Sequence, residues 1–243
     1  MDVRAGQRAV PGRTLPVDAI VFDKDGTLFD FAATWEAWAR NFLLRATGQD
    51  AGRAQTLGRH IGFDLASSRF DPDSVAIAST VAEVAAALAP HLPEYTTATL
   101  LDLINEEAAA APQVEAVPLR PLLDDLRSSG LRLGVATNDS EGPARAHLAA
   151  AGVLDRFDFV AGFDSGHGAK PGPGQLLAFA GRVGVAPERV AMVGDSRHDL
   201  TAGRAAGMVT LAVLTGMAPA TALAPLSDAV LPDIGHIPAW LDR

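Results

Sequence analysis

The sequence predicts an α/β protein, a doubly wound parallel sheet carrying an inserted α-helical domain. Short apolar runs end abruptly in acidic, hydroxyl and glycine residues, as buried parallel strands do where they reach a ligand-binding edge. Helical patterns alternate with those runs through the second half of the chain. One long early stretch breaks the alternation, offering helical patterns with no convincing strand between them.

The elements follow in order. Ala19 to Phe22 reads as a buried strand running into the tight turn Asp23-Lys24-Asp25-Gly26. Leu131 to Ala136 repeats the design and stops at Thr137-Asn138-Asp139, and Val190 to Val193 stops at Gly194-Asp195-Ser196. Phe157 to Phe163 and Val209 to Leu214 are further strands. Pro143 to Ala151, Gly174 to Val183 and Leu200 to Ala206 supply the helices between them. Residues 17–29 and 114–243 therefore form the α/β core, and residues 30–113 the helical insertion. Within the insertion, Trp35, Trp38, Phe42 and Leu43 share one face of a helix over Thr34 to Ala46, where both tryptophans read as packing residues. Asp73 or Ser74 would cap a helix running to Leu88, and Thr96 to Ala110 gives another. The turn at Phe29 to Phe31 and the stretch Ala111-Pro112-Gln113 are the two crossings between core and insertion, and candidate hinges.

Composition narrows the function. With 243 residues, 48% apolar and 20% charged, the chain can bury a core and has the balance of a soluble globular protein. A net charge of -9 argues against a nucleic-acid partner. It leaves room for a small phosphorylated metabolite, because a bound divalent cation inverts the field of an acidic pocket. The absence of cysteine excludes disulfides, thiolate nucleophiles and cysteine metal sites, and suits a cytoplasmic protein. No apolar run reaches the roughly 18 residues of a membrane span, and no secretory signal is evident, so no membrane partner is expected. A monomer or a homodimer would both suit. Residues 1–16, with Arg4, Arg8 and Arg13 among glycine and proline, read as a disordered tail, a short organellar targeting piece being the alternative.

The chemistry gathers at the strand ends. Asp23 and Asp25 stand two positions apart, so one carboxylate can attack phosphorus while the other protonates the leaving alkoxide and later activates water. Lys24 between them should point elsewhere. A solvated turn or a calcium loop is the bland alternative, but a calcium loop would need a further Asp or Asn after Asp25 and a terminal Glu within a helix-flanked loop, whereas here a buried strand precedes and Leu28-Phe29 follow. Thr137 and nearby backbone N–H groups can bind a phosphate oxygen, although a Thr-Asn-Asp turn also serves as a helix cap. Lys170, held between glycines and Pro171, can place an ammonium against a transferring phosphoryl group. Asp195 and Asp199, four positions apart, are hard oxygen donors of the kind magnesium takes. Asp195 would join Asp23 and the Asp25 backbone carbonyl on the metal, with Asp199 farther out, orienting Lys170 or a water. The competing reading makes Asp195 or Ser196 a helix cap and Asp199 a surface residue.

Together these strings resemble the four motifs of the haloacid dehalogenase superfamily in its phosphatase branch, and they span the whole core. The resemblance implies Asp23 as nucleophile, Asp25 as acid/base, Thr137 and Asn138 with Lys170 as phosphate binders, and Asp195 and Asp199 as the acidic metal group with Mg2+. An insertion directly after the first motif is similar to the helical cap of phosphoglycolate phosphatases and related sugar-phosphate enzymes. That likeness implies hydrolysis of a small phosphate monoester through a phosphoaspartyl intermediate. A phosphomutase of the same fold and a catalytically silent phosphate-binding regulator are the alternatives, and a dehalogenase is disfavoured by the acid at Asp25. Arg69, Arg59, His60 and Asp30 are candidates for substrate selection, Arg69 first, since a guanidinium can pair with a second acidic group. His198 reads as a surface residue.

Overall fold

A computed structural model describes residues 16–71, 74, 76 and 79–242. The expectation for the first residues falls, apart from Pro16, outside the described part, and so does Asp73.

The core strands are β1 (Ala19–Phe22), β4 (Arg132–Ala136), β5 (Phe159–Ala161), β6 (Val190–Gly194), β7 (Val209–Val213) and β8 (Ala229–Leu231). They form one parallel sheet in the order β5-β4-β1-β6-β7-β8. The chain builds outward from β1 on one side through β4 and β5, then returns to build outward on the other side from β6. That reversal opens a crevice at the carboxyl end of β1, where ligands of such sheets bind. All four residues of β1 are buried, as expected of a central strand covered on both faces.

The core helices are α5 (Leu119–Ser128), α6 (Glu141–Ala150), α7 (Gly174–Val183), α8 (Arg197–Ala205), α9 (Ala220–Leu223) and α10 (Ile237–Leu241). One face of the sheet packs Ile20, Phe22, Leu133 and Val193 against Leu122, Leu126, Leu148 and Ile237. The other packs Val21 and Met192 against Leu176, Phe179 and Ala202. Alternate residues of a strand therefore serve opposite layers.

Between β1 and α5 lie α1 (Phe31–Ala46), α2 (Ala51–Gly58), the strands β2 (Phe63–Asp64) and β3 (Arg69–Phe70), α3 (Val81–Leu88) and α4 (Thr97–Ala109). Their apolar side chains bury against one another in a cluster of their own, built on Trp38, Phe42, Leu43, Leu88 and Ile104. The antiparallel pair β2-β3 was not expected in a segment read as wholly helical. Each strand is two residues long, too short for an alternation to register in the sequence. Helix α3 starts later than expected. Thr80 caps it in a reciprocal capping box with Glu83, while the Ser74 hydroxyl bonds the Ile61 carbonyl (2.5 Å). The segments entering and leaving the insertion run side by side, joined by Asp30 N–H to Val114 O (2.8 Å) and Ala116 N–H to Leu28 O (2.9 Å). Among the described residues no helix is long and apolar enough to cross a membrane.

Candidate active site

Asp23 leaves the end of β1 with its backbone N–H still bonded to Val193 O of β6 (2.8 Å), so the sheet fixes where the carboxylate starts. The chain then turns through Gly26 at φ +79°, a left-handed conformation that favours glycine. A Cβ there would lie 2.5 Å from the Asp195 carboxylate, so the absent side chain lets the turn close against the end of β6. The Thr27 hydroxyl reaches Asp195 Oδ1 (3.4 Å), and Thr215 donates to Gly26 O (2.6 Å).

Lys170 lies at the centre. Its Nζ donates to Asp23 Oδ1 and to Asp199 Oδ1, both at 2.6 Å, and all three residues are buried. The Asn138 side-chain amide holds the Lys170 backbone from both sides, donating to its carbonyl and accepting from its N–H, each at 2.9 Å. Buried Gln175 on α7 donates to Thr137 O (3.1 Å) and Gly168 O (3.0 Å), joining the β4 end to the lysine loop. Thr137 is buried, and its Oγ1 accepts the Asp139 N–H (3.0 Å). Asp199 serves two purposes: its Oδ2 accepts from the N–H and hydroxyl of Ser196 (3.0 and 2.6 Å), closing the capping box of α8, while Oδ1 holds Lys170. Ser196 is thus the helix cap, and Asp199 is a buried residue of the site.

Asp23, Asp195 and Asp199 each present an oxygen within 4.8 Å of the others. Burial pushes the Asp23 carboxyl up to about 7; Asp199 and Asp25 add to the rise, and Lys170 opposes it. Burial likewise raises Asp195 well above the carboxylate range, reinforced by Asp23 and Asp199. For Lys170 burial works against the charge, but Asp199 and Asp23 outweigh it and raise the ammonium above the usual lysine value. One ammonium among three buried carboxylates leaves negative charge uncompensated, and such a group invites protons or a hard divalent cation. The oxygen-only donor set fits magnesium chemistry. Both Asp199 oxygens are already engaged, so Asp23 and Asp195 are the better placed to hold an ion.

One cavity is lined by Asp23, Asp25, Thr137, Asn138, Lys170, Asp195 and Asp199. The insertion contributes Phe31, Trp35 and Ala76, and α8 adds His198. Both tryptophans pack in the insertion as expected: Trp38 is buried with its Nε1 on Ile104 O (3.3 Å), and half-buried Trp35 packs edge-on against it at 5.2 Å while also lining the cavity. One reading changes: His198 is half-buried and lines the cavity. Helical period alone places both tryptophans near one face and does not show which of them also reaches the cavity. Arg69, on β3, is not among the lining residues; its side chain is 71% exposed and stands 3.5 Å from Glu36. Asp30 caps α1 through Ala33 N–H (2.7 Å), and exposed His60 stacks on His91 at 3.5 Å between ring centroids. Lys24 is not among the lining residues; it is fully buried behind them, in a cluster with His147 and with Asp25 and Asp139, which do line the cavity. No spacing rule joins Lys24 to His147, so the sequence gives no signal of it.

A parallel sheet whose reversal point gathers buried carboxylates around one ammonium defines an α/β enzyme with its chemistry at the carboxyl ends of the strands. The chain belongs to the haloacid dehalogenase-like hydrolases, whose family model matches residues 17–207. It is 32% identical to a phosphoglycolate phosphatase of Nitrosospira multiformis over 79% of this chain and 81% of that one. It is 38% identical to a phosphoglycolate phosphatase of Rhodospirillum rubrum over 49% of this chain, a match spanning 50% of the relative's length. Among solved structures, a predicted phosphoglycolate phosphatase of Haemophilus somnus superposes with a TM-score of 0.70 at 20% identity, covering 94% of this chain and 99% of its own. A β-phosphoglucomutase of Clostridium difficile superposes with a TM-score of 0.65 at 16% identity, covering 93% and 98%. At such identities the structures share the fold.

Proposed function

We propose that the protein is a magnesium-dependent phosphatase of small phosphate monoesters, working through a phosphoaspartyl intermediate on Asp23, with phosphoglycolate or a sugar phosphate as substrate. The observation that carries this is the buried Lys170 ammonium, 2.6 Å from both Asp23 and Asp199 at the mouth of the sheet crevice. Relatives named phosphoglycolate phosphatase support the substrate class. Residues 30–113 would act as a cap over the cavity, the paired segments at Asp30 and Val114 forming its hinge. A cytoplasmic location agrees with the lack of cysteine.

In the first step an Asp23 oxygen attacks phosphorus, the bond from phosphorus to the ester oxygen breaks, and Asp25 gives its proton to the departing alkoxide. In the second step Asp25 takes a proton from water, the water oxygen attacks phosphorus, and the bond to Asp23 breaks, releasing phosphate. Lys170, held by Asn138 and Asp199, meets the negative charge of the phosphoryl oxygens, and Thr137 and Asn138 bind the same group. The carboxylates of Asp23 and Asp195 with the Asp25 backbone carbonyl would hold Mg2+, whose positive charge keeps Asp23 ionised and offsets its repulsion of an anionic substrate.

A phosphate-release screen over phosphoglycolate, sugar phosphates, nucleotides and pyrophosphate, with and without magnesium, tests reaction and substrate class together. Asp23→Asn should abolish release at every magnesium concentration; turnover retained by that variant would remove the nucleophile assignment. An isomeric sugar phosphate formed without free phosphate would replace the phosphatase by a mutase.

A further inference from the structure

Lys24 is fully buried, one residue beyond the proposed nucleophile, and does not itself line the cavity, although its neighbours Asp25, Asp139 and Trp35 do. Its ammonium has three N–H donors and meets three partners: Asp25 Oδ1 at 2.8 Å, His147 Nδ1 at 3.0 Å and Asp139 Oδ2 at 3.3 Å. The other ring nitrogen of His147, Nε2, lies 2.7 Å from Ala108 O in the last turn of α4. A carbonyl only accepts, so Nε2 carries the proton and Nδ1 is left to accept from Lys24. The Trp35 ring of α1 stands 5.5 Å from the Lys24 ammonium. One cation in the core thus touches the proposed acid/base, the loop after β4, helix α6 and, through His147 and Trp35, both helices at the base of the insertion.

We propose that Lys24 is a positioning residue, holding the Asp25 carboxylate where the leaving oxygen must be protonated and tying that placement to the seating of α1 and α4. This rests on the phosphatase reading above. Asp25 opens the turn over residues 26–28, where its backbone is bridged to Phe29; that bridge fixes the backbone and not the carboxylate, which the Lys24 ammonium holds at 2.8 Å. Because the same ammonium leans on α4 through one neutral ring, lifting the insertion would loosen Asp25, and seating it would fix Asp25 again. Protonation of the leaving group would then be coupled to closure over substrate.

The test uses chemistry that a merely structural role would not separate. An aryl ester such as 4-nitrophenyl phosphate leaves without help from an acid, whereas an alkyl ester needs a proton. In the full-length protein, Lys24→Met should lower kcat about tenfold or more on the best alkyl ester from the screen and less than about threefold on 4-nitrophenyl phosphate, with KM little changed. Lys24→Met combined with Asp25→Asn should be no slower than Asp25→Asn alone, since both remove one function. His147→Leu, which frees Lys24 from α4 but leaves its carboxylates, should show the same pattern at about a third of the effect, and carries the comparison if Lys24→Met does not fold. Equal losses on the two esters, additive losses in the double variant, or full activity of both single variants would overturn the positioning role while leaving the phosphatase standing. A wild-type protein that hydrolyses neither ester would overturn the phosphatase reading and this inference together.

Discussion

Replacing Lys170 by Met would take the shared ammonium from Asp23 and Asp199, two carboxylates that it now holds 2.6 Å from one nitrogen. Phosphate release should fall by about a hundredfold or more, the usual cost of losing a preorganised charge at a developing anion. Rates measured at saturating magnesium check this; a loss under tenfold would mean that another cation meets the phosphoryl group. Asn138→Ala makes a subtler change, because Asn138 holds the lysine's backbone and not its charge. Two hydrogen bonds disappear, each worth about 1 kcal/mol. The urea midpoint should drop accordingly, and kcat should fall well short of the Lys170→Met loss. The reverse order of effects would make Asn138 chiefly a phosphate ligand.

At the scale of elements, α8 shows how one short sequence carries structure and site at once. Ser196 caps the helix, and Asp199 closes the capping box with one oxygen while its other oxygen holds Lys170. Ser196→Ala should therefore cost about 1 kcal/mol of stability, as lost caps do, and also slow phosphate release by letting Asp199 turn. Loss of stability at full activity would show that Lys170 alone fixes Asp199. The strand ends were legible in the sequence because a buried parallel strand is a continuous apolar run, and whatever interrupts it sits at the ligand edge. AIVF, LRLGVA and VAMV each became a central strand delivering Asp23, Thr137 or Asp195 to one cavity. What stayed illegible depends on packing between elements distant in sequence. Lys24 and His147 are 123 positions apart, and only the crossing of α4 over α6 brings His147 onto Ala108. Strands β2 and β3 are too short to carry a period, and Trp35 and Trp38 share a packing stripe in which only Trp35 also lines the cavity.

At the scale of the whole molecule, the core and the insertion bury separate apolar clusters, and the buried polar contact of His147 with α4 is one of the bonds between them. That bond should make stability depend on pH. Burial, with the Lys24 charge beside it, pushes the His147 ring down to about 4 from its ordinary value near 6.5. The unfolded chain therefore takes up a proton that the folded protein refuses between about pH 6.5 and 4, and the stability His147 contributes is lost as pH falls through that window. Asp139 works in the opposite sense. Burial raises its carboxyl to about 6, against Lys24, so the folded protein holds a proton that the unfolded chain releases, and stability falls as pH rises from about 4 to 6. The two slopes oppose each other, and the raised carboxyls of Asp23 and Asp195 add to that of Asp139, so the wild-type profile does not isolate the His147 contribution. His147→Leu removes that contribution. The difference in unfolding free energy between wild type and this variant, read from urea titrations, should favour the wild type more at pH 7 than at pH 4.5, by up to about 3 kcal/mol. A difference that does not move with pH would mean that the ring titrates alike in the folded and unfolded chains, and that the contact with Ala108 opens readily in solution.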